Sequence, residues 1–281
     1  MVKIVVDSGS DIVKSEADDL GVIMVPIEVQ FGDEVFLDGV NLMPGEFYDK
    51  LVSSKDIPTT SLINEYRWTE VFESLTKDGD EVVAIVLSSK ISGTYNCAKE
   101  AASKFGGKVF VVDSLSATLG ERVLVQLALK RISEGCSAKE IFEELDERKN
   151  KLHVYAMIDT LKYLKKGGRI SSTTAFFGEL LAIKPIAGVV DGEVKVLGKE
   201  KGMKNVFKTM SSFVEKDGGI DVSLPFGALW TGNDKSLLDK FVANCNNLWS
   251  EADEEIQQHM MGCTIGTHIG PGAIGIVYFS K

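Results

Sequence analysis

The sequence has few of the residues that build disulfide frameworks or metal centres. Its 281 residues include four cysteines and three histidines. The cysteines form no CxxC pair and the histidines have no metal-ligand spacing, which argues against a disulfide scaffold and a zinc site. We therefore expect a reduced, cytoplasmic protein without a metal. The residues concerned are Cys97, Cys136, Cys245, Cys263, His153, His259 and His268.

Long apolar runs and an excess of positive charge are missing as well. No apolar stretch approaches the ~20 residues that cross a bilayer. The apolar opening stretch turns polar after six residues, which is too short for a signal peptide. A formal net charge of −10 disfavours nucleic acid or an anionic membrane surface as the main partner. The sequence predicts no membrane span and no nucleic-acid partner.

Common nucleotide-binding and esterase motifs are also absent. The chain has neither a GxxxxGK[ST] phosphate loop nor a GxSxG nucleophile elbow. A formal GxGxxG occurs at Gly270, Gly272 and Gly275, but a strand and the chain end follow it instead of a helix. Because the dinucleotide fingerprint requires a strand before it and a helix after it, we reject this match.

Short β-branched runs alternate with helical patterns through the first half of the chain, most clearly at 82–87. This alternation is typical of a parallel sheet covered by helices on both faces, so we expect an α/β domain over 1–151. Beyond it, two apolar runs around Asp191-Gly192 predict a hairpin, and a compact helix is expected over 174–181. We expect an α+β domain with a mixed sheet over 152–281, and a ligand between the two domains.

The run 82–87 ends in a loop of small hydroxyl residues that leads into a helix. A buried parallel strand followed by such a loop and a helix N-terminus is where open α/β sheets bind ligands. The unpaired N–H groups of the helix start favour an anion, either a phosphate or a carboxylate. The alternative is that Ser92 or Thr94 only caps its own helix.

Two further polar segments are candidates for a site. Thr60 and Ser61 precede a predicted helix, where the alternative role is again helix capping. His268 lies in a glycine-dense segment, 266–275, which we interpret as a turn that lets backbone approach closely. The alternative for His268 is a structural or merely exposed histidine.

Three motifs in this order resemble the DegV family, and the resemblance runs essentially end to end. Asp7-Ser8 and Asp113-Ser114, each at the end of a predicted strand, fit it as well. The motifs are Ser88-Ser89-x-x-Ser92-Gly93-Thr94-Tyr95, Leu161-x-x-Leu164-x-x-Gly-Gly-Arg169-Ile170-Ser171 and Gly266-Thr-His-x-Gly-Pro-Gly-Ala-x-Gly275.

The resemblance implies a two-domain bacterial protein that binds a long-chain fatty acid in an apolar tunnel. It further implies that the protein presents the carboxylate to a fatty acid kinase, which brings ATP and catalysis. The acyl-phosphate is then carried toward phospholipid synthesis. On this view the protein is a lipid-binding carrier and not an enzyme, with the fatty acid as its ligand and no cofactor.

Combined with the resemblance, the residues predict one carboxylate site. We expect hydroxyls from Thr60 or Ser61 and from Ser92, the amides of Gly93 and Thr94, and the imidazole of His268 to converge there. A carboxylate has about four acceptor sites, so such a set satisfies it without a metal.

The segment after Ser61 departs from the family pattern. Leu62-Ile63 stand where family members often carry Gln-Pro, which leaves the choice between Thr60 and Ser61 open. By family analogy Arg169 lies near the surface and docks the kinase. Its alternative is a surface charge beside a helix C-terminus.

Two other functions stay open from the sequence. One is a hydrolase or acyltransferase with Ser92 as nucleophile and His268 as base, although no residue that orients the histidine is identifiable. The other is a sugar or phosphate binder related by fold to dihydroxyacetone kinase. The carrier predicts a long apolar cavity, and the sugar binder a small polar one.

Overall fold

The computed structural model describes residues 1–170, 183–252 and 255–281. The strands are β1 (Val2–Asp7), β2 (Ile23–Val25), β3 (Glu28–Phe31), β4 (Glu34–Leu37), β5 (Thr59–Ser61), β6 (Glu81–Val86), β7 (Val109–Asp113), β8 (Leu152–Met157), β9 (Ile183–Val190), β10 (Glu193–Lys201), β11 (Gly227–Trp230), β12 (Gln257–Met260) and β13 (Ile274–Phe279). The helices are α1 (Lys14–Leu20), α2 (Pro44–Ser53), α3 (Glu65–Thr76), α4 (Thr94–Ala102), α5 (Leu119–Ser133), α6 (Ala138–Arg148), α7 (Lys162–Lys166), α8 (Met203–Lys216), α9 (Ser236–Asn244) and α10 (Cys263–Ile269). The helix expected over 174–181 lies outside the described residues.

The first sheet has the order β2-β1-β6-β7, and its strands are all parallel. Val82 to Val86 on β6 are fully buried because helices lie against both faces, as the uninterrupted apolar run requires. Helices α3, α4, α5 and α6 all contact β6. The expected parallel-sheet α/β fold of the N-terminal part is confirmed.

The second sheet has the order β10-β9-β8-β13-β11-β12. It is mixed, because β11 and β12 pair parallel and the other neighbours pair antiparallel. The predicted hairpin joins β9 to β10, with Asp191 at φ 54° and Gly192 at φ 79°. These positive φ values match the right-handed twist of the paired strands. Helices α8 and α9 contact strands of this sheet, which gives the expected α+β arrangement.

A third, small sheet has the antiparallel order β4-β3-β5 and carries Thr60 on its β5 edge. Thr60 and Ser61 therefore lie in a strand and do not cap the following helix. The side chain of Asn64 caps α3 instead, because its Oδ1 accepts a 2.9 Å hydrogen bond from the Arg67 N–H.

The glycine-dense segment that we interpreted as a turn is mostly helical. Helix α10 includes Gly266, Thr267 and His268, and the turn begins only at Gly270. Asp38 supports the helix start, since its carboxylate accepts hydrogen bonds from the Cys263 and Thr264 N–H groups at 3.1 and 2.9 Å. A carboxylate at this position satisfies otherwise unpaired N–H groups and complements the helix dipole.

The hairpin tip of the second sheet reaches the loop that follows β6. Ser88 Oγ donates a 2.7 Å hydrogen bond to the Gly192 carbonyl, so the two sheets meet at the carboxyl end of the parallel strands. In the ranges covered by the structure, no helix is both long enough and apolar enough to cross a membrane.

Candidate ligand-binding site

His268 is held between a strand and a tight backbone turn. Its Nε2 lies 2.9 Å from Thr60 Oγ1, and the residue is only 9% exposed. On the other side of the ring, a Cβ added to Gly167 would lie 2.2 Å from Nδ1, so this position requires glycine. Among the residues described, no group hydrogen-bonds to Nδ1. The imidazole therefore has one defined orientation.

The surroundings of His268 keep the imidazole neutral. Burial, and to a lesser extent the positive charge of Arg169, lower the pKa of His268 to about 4. At neutral pH the ring then carries one proton and forms the Thr60 hydrogen bond without a charge of its own.

The loop after β6 forms the opposite wall. Ser92 Oγ lies 2.9 Å from Thr94 Oγ1 and accepts a 3.2 Å hydrogen bond from the Thr94 N–H. This is the local bond expected of a Ser turn, whereas Gly93 occupies the N-cap position of α4. Ser92 is therefore not the N-cap residue of α4, although it accepts a hydrogen bond from the Thr94 N–H, and it borders the space next to His268.

The departure at Leu62-Ile63 has a structural consequence. The Ile63 N–H donates a 3.2 Å hydrogen bond to Thr94 Oγ1, a bond that proline at this position would lack. Leu62 packs on Gly93, where a Cβ would lie 3.0 Å from Leu62 Cδ2. These contacts tie the Thr60 strand to the loop of Ser92.

A polar chamber, called here the head chamber, lies between these elements. Among the residues that the structure describes, it is bordered by the polar side chains or amides of Thr60, Ser61, Ser92, Gly93, Arg169, Thr264 and His268. Four of them were predicted as donors from hydroxyl or amide groups. The chamber therefore collects neutral hydrogen-bond donors and one permanent positive charge in one place.

An apolar cavity, called here the tail cavity, adjoins the head chamber. It is open to its surroundings on one side. Almost all of its wall is aliphatic, contributed by β8, β9, β10 and α10. Ile91, Arg169, Ile265 and His268 border both spaces. The linings of the two spaces match a molecule that has a polar end and an apolar body.

Arg169 is half-buried, and its guanidinium is turned inward. Its Nη1 donates a 2.6 Å hydrogen bond to the Gly167 carbonyl, and its Nε donates a 3.3 Å one to the Ile91 carbonyl. Burial lowers the pKa of Arg169, but a guanidinium stays protonated in proteins. Arg169 also borders both the head chamber and the tail cavity. The kinase-docking role of Arg169 stays a prediction.

The family model described as "Uncharacterised protein, DegV family" matches residues 1–281. The chain belongs to the DegV family. A DegV domain-containing protein of Caldanaerobacter subterraneus subsp. tengcongensis is 35% identical over 283 residues, covering 100% of this chain and 99% of the relative.

Solved structures of DegV proteins share the whole fold. A structure described as showing fatty acid binding by a DegV family protein from Thermus thermophilus has a TM-score of 0.87 and 29% identity, covering 100% of this chain and 99% of that one. DegV from Bacillus subtilis, described as a fatty acid binding protein, has a TM-score of 0.85 and 29% identity with the same coverage.

The structure brings most of the predicted site residues of this DegV protein together, with Thr94 as the exception. In the described part of the chain, Thr94 does not border the head chamber. Its side chain is buried and its N–H is already donated to Ser92. Contact of Thr94 with a ligand stays a prediction.

Gly167 and Thr264 were not predicted as site residues, although Gly167 belongs to the Gly-Gly-Arg169 motif. Gly167 lies behind the imidazole, and Thr264 borders the head chamber one helical turn before His268. The i, i+4 spacing identifies Thr264 only once the segment is known to be helical.

The hydrolase alternative requires Ser92 and His268 to be partners. In the structure, the hydroxyl next to His268 Nε2 is Thr60 Oγ1, and the hydroxyl next to Ser92 Oγ is Thr94 Oγ1. No Ser92–His268 hydrogen bond occurs within the described ranges. Those ranges also hold no group of three or more His, Cys, Asp or Glu suited to a metal ion.

Proposed function

We propose that this DegV-family protein is a carrier that binds a long-chain fatty acid, with the carboxylate in the head chamber and the acyl chain in the tail cavity. The observation that carries the proposal is that Arg169 and His268 border a polar chamber on one side and an aliphatic cavity on the other. The T. thermophilus and B. subtilis relatives, which share the whole fold, are described as fatty-acid-binding.

The head chamber has the donors that a carboxylate needs. Hydroxyls of Thr60, Ser61 and Ser92 and the Gly93 amide supply neutral hydrogen bonds, and Arg169 supplies the opposite charge. Hydrogen bonds to an ionised group are about twice as strong as neutral ones. Such a set is sufficient for about four acceptor positions without a metal.

The tail cavity supplies most of the affinity. Burial of a methylene is worth ~0.8 kcal/mol, so a sixteen-carbon chain gains roughly 10 kcal/mol before ordering costs are subtracted. A small polar sugar gains nothing from this aliphatic wall. The fatty acid is therefore favoured over the sugar or phosphate binder.

We further propose the role implied by the family resemblance. A fatty acid kinase catalytic subunit phosphorylates the presented carboxylate, and this protein, itself non-catalytic and cytoplasmic, carries the acyl-phosphate toward phospholipid synthesis. The ligand lies between two domains, 1–151 and 152–281. The resemblance assigns Arg169 to kinase docking, and its inward guanidinium supports a second role at the ligand head. The two roles lead to different outcomes in the Arg169 experiment below.

Denaturing extraction of the purified protein followed by mass spectrometry tests ligand binding. A stoichiometric long-chain fatty acid is the expected result, and refilling of delipidated protein by added palmitate confirms it. A phosphorylated sugar in the extract, or failure to take up palmitate, contradicts the proposal. Turnover of a chromogenic ester that is abolished by Ser92→Ala would instead establish the hydrolase.

A further inference from the structure

The floor of the tail cavity is one face of the second sheet. Side chains on a strand alternate between faces, so Val154, Ala156 and Ile158 point to the cavity from β8 and its C-terminal end. Ala187 and Val189 do the same from β9. All five border the cavity.

Two paired alanines have smaller side chains than the β-branched residues beside them on this floor. Ala156 and Ala187 are direct cross-strand partners in the antiparallel β8–β9 pair. Larger β-branched side chains flank the two alanines. They are Val154 and Ile158 on β8 and at its C-terminal end, and Val189 on β9. Because alanine is smaller than valine or isoleucine, the pair leaves more room above the sheet than its neighbours do.

The room above the alanines is closed on one side. Gly275 on β13 pairs with Ala156, and a Cβ on Gly275 would lie 2.7 Å from Leu229 Cδ1. Leu229 thus fills the space above the glycine, and its side chain is fully buried. On the other side, Val196 of β10 pairs with Ala187. The free space above the alanines is bounded on both sides.

We propose that the Ala156–Ala187 pair determines the length of the acyl chain that the tail cavity accepts. This inference rests on the proposed function, since it assumes that the apolar ligand lies in this cavity. Protein interiors are close-packed, so added side-chain carbons displace an equal number of ligand carbons. Leucine has three carbons more than alanine. Ala187→Leu therefore excludes about three methylenes, and each excluded methylene lowers affinity about fourfold.

The test compares variants of one position with a matched control. Ala187→Leu and Ala187→Val reduce the room above the pair, and Ala187→Gly increases it. Val190→Leu enlarges a residue of the same strand that, in the described structure, lies outside the cavity wall. Each delipidated protein is incubated with an equimolar mixture of saturated acids of about 12 to 20 carbons, and the retained acids are quantified by mass spectrometry.

We expect Ala187→Leu to move the preferred length down by about three carbons and to weaken binding of the wild-type optimum roughly 50-fold. Ala187→Val should move it less, Ala187→Gly should retain the longest acids, and Val190→Leu should match the wild type. If Ala187→Leu does not fold, the length profiles of Ala187→Val and Ala187→Gly are compared with that of the wild type instead.

An unchanged length profile in the folded Ala187 variants overturns the inference and leaves the proposed function intact. If the wild type retains no acid from the mixture, the proposed function fails, and the length inference fails with it.

Discussion

Thr60 on β5 and His268 on α10 are 208 residues apart in the sequence and share a 2.9 Å hydrogen bond between Oγ1 and Nε2. The bond joins the small third sheet to the helix that the glycine-dense segment forms. Thr60 contacts the imidazole whereas Ser61 borders the chamber, and which of the two hydroxyls binds the carboxylate stays a prediction.

Replacing Thr60 with valine keeps the shape of the side chain and removes its hydroxyl. We expect Thr60→Val to weaken fatty-acid binding about tenfold, since one hydrogen bond to ligand or imidazole is worth about 1–1.5 kcal/mol. Thr59→Val, on the same strand with an exposed side chain, is the control and should bind as the wild type. Titration of delipidated protein with palmitate measures both. A larger loss in Ser61→Ala than in Thr60→Val would assign the carboxylate contact to Ser61.

Gly167 makes room for the His268 ring. In Gly167→Ala the new methyl would lie 2.2 Å from Nδ1, so the ring has to leave its position and the Thr60 bond breaks. We expect palmitate affinity to fall at least tenfold. The melting temperature should fall only slightly. Gly45→Ala is the control, because a Cβ there would meet nothing closer than 3.8 Å. Wild-type affinity in Gly167→Ala would show that the orientation of His268 is unimportant for binding.

His268 should give the stability of the delipidated protein a pH dependence. The folded pKa of His268 is about 4, against 6.5 in an unfolded chain. Between these values the unfolded state binds the proton and the folded state does not, so stability falls as the pH falls. The contribution approaches about 3 kcal/mol. Urea denaturation at several pH values should show a shallower acid decline in His268→Gln than in the wild type. If the free energy of unfolding of both proteins changes with pH in the same way, the imidazole is not both buried and neutral in solution.

His268→Ala should also weaken fatty-acid binding or acyl-phosphate formation while the fold is kept. His259→Ala is a control for loss of an imidazole away from the chamber, since His259 lies on β12. Unchanged binding and unchanged acyl-phosphate formation in His268→Ala would remove this residue from the site.

Parts of this fold are encoded locally and others are not. The run 82–87 is apolar at every position, so only a strand buried on both faces accommodates it. Asp191-Gly192 predicts its hairpin because few other pairs adopt two positive φ values. Helix α10 is different: a segment with several glycines has low helix propensity. It becomes helical partly through Asp38, which caps it from 225 residues away.

The candidate site was predictable in its residue types but not in its contacts. The hydroxyls and the histidine were identified from motifs, whereas Arg169 was predicted to dock the kinase and not to border the ligand site. The pairing of Thr60 with His268 depends on β5, a strand of three residues that forms only beside β3. The inward turn of Arg169 depends on carbonyls of Ile91 and Gly167, which no pattern of side chains reveals.

Arg169→Ala separates docking from a role at the ligand head. Arg169 borders the head chamber and the tail cavity, so we expect its loss to lower palmitate affinity and the kinase-coupled rate together. Each should fall about tenfold or more, because a hydrogen bond to a charged group contributes about 1.5–3 kcal/mol. Arg169→Lys should restore charge but not the fork of donors. Lys166→Ala, an exposed charge at the end of α7, is the control. A reduced rate with unaltered affinity would assign Arg169 to kinase docking, as the resemblance implies.

Glu121 should make the protein less stable as the pH rises. It is fully buried, and within the described residues the one group beside its carboxylate that favours the ionised form is the Asp7 backbone N–H. Burial, followed by the charges of Asp7 and Asp11, raises the pKa of Glu121 well above its usual value, so the folded state keeps the proton. The unfolded state releases it once the pH exceeds the ordinary glutamate pKa, and stability then falls with rising pH.

Glu121→Gln keeps the size of this side chain and removes the proton that must be retained. We expect the variant to equal the wild type in acid and to become progressively more stable than the wild type as the pH rises toward 8, because the wild type alone bears the growing cost of keeping the proton. Chemical denaturation across this pH range measures the difference. Glu28→Gln, an exposed position on β3, is the control for loss of a carboxylate. If Glu121→Gln is less stable than the wild type at pH 8, the carboxylate is ionised in the fold and has partners that only its charged form satisfies.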